Sequence, residues 1–310
     1  MVTEIRFPSV GRLNGPPVIR KSGIISPSGG EMSVFVWKNR LMRLQNHGGG
    51  FVVSPCEISD FSKVYGRTGP YFYQAFCEGE RVHVFATEKN RVFRWVSDDL
   101  EHWEESPALA FPENFRLFNT AVCRDDKGYV MAVECNAAED EENPGRTLPN
   151  PYIGKPFTEF FARSRDLESW ELFPFDTAYT TGRYNACPAL KYSGGWYYMI
   201  CLEELPAERY APYIYRTRDF RSWEIGFYNP LFTASREDLV PKPGTELTPE
   251  EAETNFLHLN TNNSDIDLCE FDGKTVIVYC SGNQGHTWGG MYCEAVYDGP
   301  LSRFLSANFE

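Results

Sequence analysis

The chain has 310 residues, 42% of them apolar and 15% aromatic against 24% charged, enough apolar surface for a sizeable core and outside the regime of disordered chains. Thirty Lys and Arg against 43 Asp and Glu leave a net charge of −13, which argues against a nucleic-acid partner because a phosphate backbone calls for surplus positive charge. The apolar runs, such as 196–202, fall far short of the ~20 residues that cross a bilayer, and the N-terminus MVTEIRFPSV lacks a basic and apolar leader, so no membrane partner and a cytoplasmic location are expected.

In chain order, the Gly- and Pro-rich stretch 10–26 is expected to supply an outer strand that pairs with the last unit. Five similar units follow, at 31–66, 70–105, 115–173, 183–227 and 262–301. Each reads as strand, tight hairpin, strand, loop, strand, corner and outer strand. The hairpins are marked by Glu78-Gly79-Glu80, Asp125-Asp126-Lys127-Gly128, Ser193-Gly194-Gly195 and Asp272-Gly273-Lys274. The corners repeat: Ser97-Asp98-Asp99-Leu100-Glu101-His102-Trp103 returns as Ser164-Arg165-Asp166-Leu167-Glu168-Ser169-Trp170 and as Thr217-Arg218-Asp219-Phe220-Arg221-Ser222-Trp223. A degraded copy spans 58–64 and a further one 296–301. The corner Asp is expected to accept backbone N–H groups while the Leu and Trp pack on the next sheet, a structural role. Two polar insertions, 137–156 and 233–259, interrupt the units, and Thr248-Pro249-Glu250-Glu251 predicts a helix start inside the second. The pattern predicts an all-β fold in a single domain, 1–310: a five-bladed β-propeller of four-stranded antiparallel blades around a central funnel.

The nine cysteines are odd in number, scattered and without zinc-ligand spacing, so free thiols in a reducing compartment are expected. Cys135, beside Glu134, and Cys187, in Asn185-Ala186-Cys187-Pro188, fall in segments near the expected site.

The repeated S-x-D-L-x-x-W corner, in a chain of this size, resembles the five-bladed β-propeller glycoside hydrolases of the arabinanase, β-xylosidase and invertase group. The resemblance implies hydrolysis of a glycosidic bond by two or three funnel carboxylates. The Asn-Asp-Pro-Asn and Glu-Cys-Pro motifs of invertases have no confident copy here, so no catalytic residue is carried over from the group.

Geometry supplies candidates independently, because starts of first strands and ends of second strands ring a funnel mouth. These positions give His47 and its neighbours Gln45 and Asn46, then Tyr73 and Gln74, Asn119 and Glu134, Arg183, Asn185, Glu203 and Glu204, and Asn263, Asp265, His286 and Trp288. Such a mixture of amide, cationic and carboxylate groups suits sugar hydroxyls, and Tyr73, Tyr184 and Trp288 offer faces for a pyranose. Glu134 ends an apolar strand, and partial desolvation there would raise its pKa toward that of a general acid. Glu203 and Glu204 follow a similar run and are not distinguished by sequence. Asp265 and Asp267 are expected to share a face at period two. The resulting expectation is an exo-acting, inverting glycosidase acting on a short oligosaccharide, with Glu134 or Glu203 as proton donor and Asp265 as base or as modulator of the donor's pKa. His47, Gln74, Asn119, Arg183, Asn185, Asn263, His286 and Trp288 would bind substrate. The competing reading is a propeller that binds carbohydrate or protein without chemistry. No cofactor is expected, although Asp265 and Asp267 suit a structural cation in the funnel, and homo-oligomerisation is open.

Overall fold

The computed structural model describes residues 2–9, 13–27, 30–58, 60–154 and 157–310; part of the N-terminal stretch and of the first insertion, and Ser59 of the degraded corner, lie outside them. Among the described residues there are twenty strands and two α-helices, so the architecture is nearly all β. Two strands precede the units: β1 (Ile5–Arg6) and β2 (Ile19–Ser26). The first unit holds β3 (Met32–Trp37), β4 (Arg40–His47) and β5 (Gly50–Pro55). The second holds β6 (Tyr71–Glu78), β7 (Arg81–Glu88), β8 (Arg91–Ser97) and β9 (Glu104–Ala110). The third holds β10 (Phe115–Asp125), β11 (Gly128–Ala137), β12 (Thr158–Ser164) and β13 (Trp170–Leu172). The fourth holds β14 (Asn185–Ser193), β15 (Trp196–Leu205), β16 (Arg209–Thr217) and β17 (Trp223–Ile225). The fifth holds β18 (Asn262–Phe271), β19 (Lys274–Gly282) and β20 (Tyr292–Tyr297). The helices are α1 (Pro249–Leu257) and α2 (Leu301–Ala307).

Within each unit the strands pair antiparallel in chain order, as the hairpin signals predict. The first sheet departs from the expectation of four strands. Among the described residues it has three, and its outer edge is met by the isolated Phe51–Tyr65 bridge. The fourth strand of the fifth sheet is β2, antiparallel to β20, so the N-terminal segment does complete the last unit. β1 adds a short parallel strand to β17, and a Tyr210–Asn262 bridge joins the fourth sheet to the fifth.

Apolar side chains lie between successive sheets. Leu44 and Phe51 pack with Val84 and Trp95, Phe85 and Val92 with Met131 and Phe160, and Val130 and Phe161 with Met199 and Tyr215. Ile200 and Ile214 pack with Ile266 and Ile277, and Val276 and Val278 return to Met32 and Val34 of the first sheet. The first strands of the five units are likewise neighbours in the sequence β3, β6, β10, β14, β18 and back to β3.

The repeated corners do what their side chains permit. Asp99, Asp166 and Asp219 each accept two backbone N–H groups through Oδ1, at 2.8–2.9 Å, from the second and third residues onward. The hydroxyls of Ser97, Ser164 and Thr217 accept the N–H of Leu100, Leu167 and Phe220 at 2.8–2.9 Å. Those three residues hold φ of +64°, +65° and +58°, a conformation that costs an L residue free energy and is held here by the surrounding bonds. In the second insertion α1 starts as predicted, with Thr248 capping Glu251 and Glu251 returning to the Thr248 N–H.

Candidate active site

Hairpin register sets the site. Met32 opposes Gln45, Tyr71 opposes Thr87, Asn185 opposes Glu203 and Asn262 opposes Gly282, so the starts of the first strands and the ends of the second lie at one end of their sheets. Four of the five first strands carry a bulge near that end, between Tyr71 and Gln74, Leu117 and Thr120, Ala186 and Ala189, and Ser264 and Asp267. Three bulges hold a non-glycine residue at positive φ: Phe72 at +60°, Cys187 at +53° and Asp265 at +52°. A bulge re-aims a side chain out of the period-two pattern, and here it turns Cys187 and Asp265 toward Glu134.

Three carboxylates interact at this point. Glu134, 2% exposed in the second half of β11, accepts the Cys187 N–H at 2.6 Å and the Asn119 amide at 3.2 Å through Oε2. Burial pushes its carboxyl up to about 7 against those two bonds, with Asp265 adding repulsion. Half-buried Asp265 accepts the Ser264 hydroxyl, which itself accepts from the Asn262 amide at 2.8 Å. Desolvation raises its carboxyl, and the hydroxyl and the Cys187 thiol act in the opposite direction. Half-buried Glu31, immediately before β3, is pushed up to about 8, first by desolvation and then by the charges of Asp265 and Glu134. Like charges in a desolvated cluster do not all ionise together, so the cluster retains protons toward neutral pH. One end of the molecule thus gathers carboxyls that hold protons to higher pH than free ones do. The Cys187 thiol is driven well above its usual range by burial and by these acids, which makes it a hydrogen-bond donor and not a nucleophile.

Of the residues expected from sequence, Glu134, Asp265 and Asn119 are brought together here. Glu203 is elsewhere: fully buried, it is ion-paired to Arg183 and raised to about 7 by burial, with Arg183 lowering it. Glu204 beside it is exposed, which separates the pair that sequence left open. Asn185 accepts from Thr181, and Asn263 is bound to Lys21 and Asp238, both at 3.1–3.3 Å. Gln74 is buried and accepts the Ser33 hydroxyl, while His47 packs its ring on Phe61 at 4.8 Å. His286 is exposed, and Trp288 stacks on His258 at 6.0 Å. The expectation that Asp265 and Asp267 share a face needs correction, since the bulge falls between them. Asp267 pairs with Lys191 at 2.8 Å and accepts the Val34 N–H at 3.1 Å.

Sequence reasoning missed Glu31 and Glu159. Glu31 was legible from its place ahead of the first strand of the first unit, the position that singled out Asn119 and Asn263 elsewhere. Glu159, on β12, stands opposite Glu134 in register and is fully buried; burial and then Glu134 drive its carboxyl far up. Among the described residues no group of three or more His, Cys, Asp or Glu is arranged to hold a metal ion. Surface clefts of about 870 and 840 Å³ lie away from the cluster, one lined by Arg43, Lys242 and Glu294 and the other by Trp196, Arg216 and Arg303.

No protein-family model matches the sequence, and no curated protein matches it. Solved structures do. A structure described as a glycoside hydrolase superposes with a TM-score of 0.55 at 11% identity over 91% of this chain and 93% of its own. The GH32 β-fructofuranosidase of Bombyx mori gives 0.56 at 12% identity over 89% of this chain and 62% of its own. An N-acetylgalactosamine deacetylase from F. plautii, solved with blood group B trisaccharide, gives 0.53 at 10% identity over 96% and 97%. A GH43 protein of Bacillus licheniformis gives 0.53 at 14%, and there this chain spans only 51% of the other. At such identities the likeness is one of fold, and the fold is that of the GH32- and GH43-type glycoside hydrolases.

Proposed function

We infer that the chain is a five-bladed β-propeller in one domain, 1–310, and a glycoside hydrolase whose reacting groups stand where its first strands begin. The cyclic order of first-strand contacts and the return of the fifth sheet's apolar face onto the first support closure. The observation that carries the activity is the meeting of Glu31, Glu134 and Asp265, contributed by the first, third and fifth sheets. Half-buried Glu31 holds its proton into the neutral range and donates it to the leaving oxygen, and ionised Asp265 takes a proton from the attacking water. Desolvation and then the Asp265 charge keep the acid's pKa high, and Glu134, deeper and held by Asn119 and Cys187, adds to them. The reaction proceeds with inversion on the terminal sugar of a short oligosaccharide or glycoside, an exo-acting mode. The acid assignment differs from the expectation of Glu134 or Glu203 because Glu203 is committed to Arg183 and Glu134 is buried.

The test is a panel of aryl glycosides and short oligosaccharides followed by proton NMR. The expected result is release of one terminal sugar with inverted anomeric configuration. Asp265→Asn and Glu31→Gln should each lower kcat on the order of 10²–10⁴-fold, and full rates in both variants would overturn the assignment.

A further inference from the structure

Six aromatic rings stand in one arc at the same end of the second, third and fourth sheets. Tyr71 meets Phe72 at 6.3 Å, Phe72 meets Phe118 at 5.7 Å and Phe118 meets Phe157 at 5.3 Å. Phe157 meets Tyr184 at 5.4 Å, and Tyr184 meets Tyr210 at 5.4 Å. Five of the six are half-buried and Tyr71 is 61% exposed, so the arc is not closed off by the fold. Contiguous aromatic surface left open in this way marks a binding region. The arc adjoins the acids: Phe118 precedes Asn119, whose amide holds Glu134, and the Tyr184 phenol lies within electrostatic reach of Glu134 and Asp265. Phe72 also occupies a bulge at φ +60°, a costly conformation for a bulky residue and of the kind that concentrates at binding sites.

Two features identify the occupant. The first is charge. Of the arginines beside the arc, Arg67 pairs with Glu88 and Glu105, Arg116, over the Phe118 ring at 5.4 Å, with Glu139, and Arg183 with Glu203, while Arg209 donates to the Pro206 carbonyl. With a net charge of −13 on the chain, an anionic ligand has little to attract it. The second is ring geometry. Successive planes are inclined by 58°, 54°, 79°, 86° and 73°, so the arc offers no common plane to a row of sugar rings. It presents ring edges and faces in turn, the arrangement that receives another aromatic ring edge-to-face.

We propose that the arc from Tyr71 to Tyr210 is a subsite for an uncharged aromatic ring carried by the substrate, next to the sugar held by the acids. The sugar belongs to the glycosidase reading above, whereas the ring's recognition is tested without one. Binding of 2-naphthol, decahydro-2-naphthol and 2-naphthalenesulfonate to the full chain is measured by ligand-observed NMR. The aromatic alcohol should bind more tightly than its saturated and anionic counterparts. Phe118→Leu and Tyr210→Leu, which keep apolar volume and so protect folding, should weaken 2-naphthol by about three- to tenfold, the range of one or two aromatic pairs, and leave the saturated alcohol unchanged. Equal binding of the saturated alcohol, or 2-naphthol binding indifferent to both substitutions, overturns the proposal. The glycosidase reading fails separately: a chain that binds 2-naphthol at the arc yet cleaves no glycoside retains this subsite and loses that activity. Cleavage of aryl and methyl glycosides with equal KM, without naphthol binding, does the reverse.

Discussion

Asp265 and Glu134 interact through a third residue, Cys187, whose N–H bonds one carboxylate and whose thiol serves the other. Their charges also govern Glu31, since both raise its carboxyl beyond what desolvation alone does. It follows that Glu134→Gln, which removes one of those charges, moves the alkaline limb of the kcat/KM profile to lower pH, because Glu31 then loses its proton more easily. A pH series on the parent and the variant checks this, and an unmoved limb would detach Glu134 from the acid. At this scale the sequence was partly legible. Glu134 was readable as a carboxylate closing an apolar strand. Glu203 shares that signal and has a different fate, because Arg183, two residues before its neighbour Asn185 across the hairpin, pairs with it. A strand-end carboxylate and its counter-ion are brought together by register, which composition does not reveal.

Among elements, the corners are the most legible feature, and the reason is local. An Asp followed by free backbone N–H groups needs only its own chain to make its bonds. Replacing Asp166 with Ala leaves the Glu168 and Ser169 N–H groups without that acceptor and should lower unfolding free energy by roughly 1–2 kcal/mol, the magnitude of a lost capping acceptor. Chemical denaturation of Asp166→Ala, with Asp219→Ala as a second copy of the same corner, measures it. An unchanged midpoint in both would mean that water replaces the carboxylate without loss. The helix start at Thr248 was legible for the same reason. The bulges were not. Alternation along 262–268 reads as uninterrupted, and the irregularity at Asp265 arises where β18 is held against two neighbouring sheets, with Asp267 bonded to Val34 and Lys191.

For the molecule as a whole, a cluster of raised carboxyls makes stability depend on pH in a stated direction. Below the ordinary value of 4.5 both folded and unfolded chains hold these protons, while between 4.5 and about 7–8 the folded chain holds them and the unfolded chain releases them. The folded state therefore binds more protons in that window, and stability falls as pH rises through it. Thermal unfolding from pH 5 to 8 should show the fall, and Glu31→Gln together with Glu134→Gln should make it shallower, with buried Glu203 and Glu159 supplying the rest; a parent that gains stability over this range would contradict the raised values. By itself the sequence determined the strand-rich units, their hairpins and corners, and the pairing of the N-terminal segment with the last unit, since each follows from residues close in the chain or from apolar faces that must be covered. Only the tertiary structure decided which acids meet. Glu31, Glu134 and Asp265 come from sheets far apart in the chain, and their proximity depends on the order in which sheets pack and on where each first strand bulges.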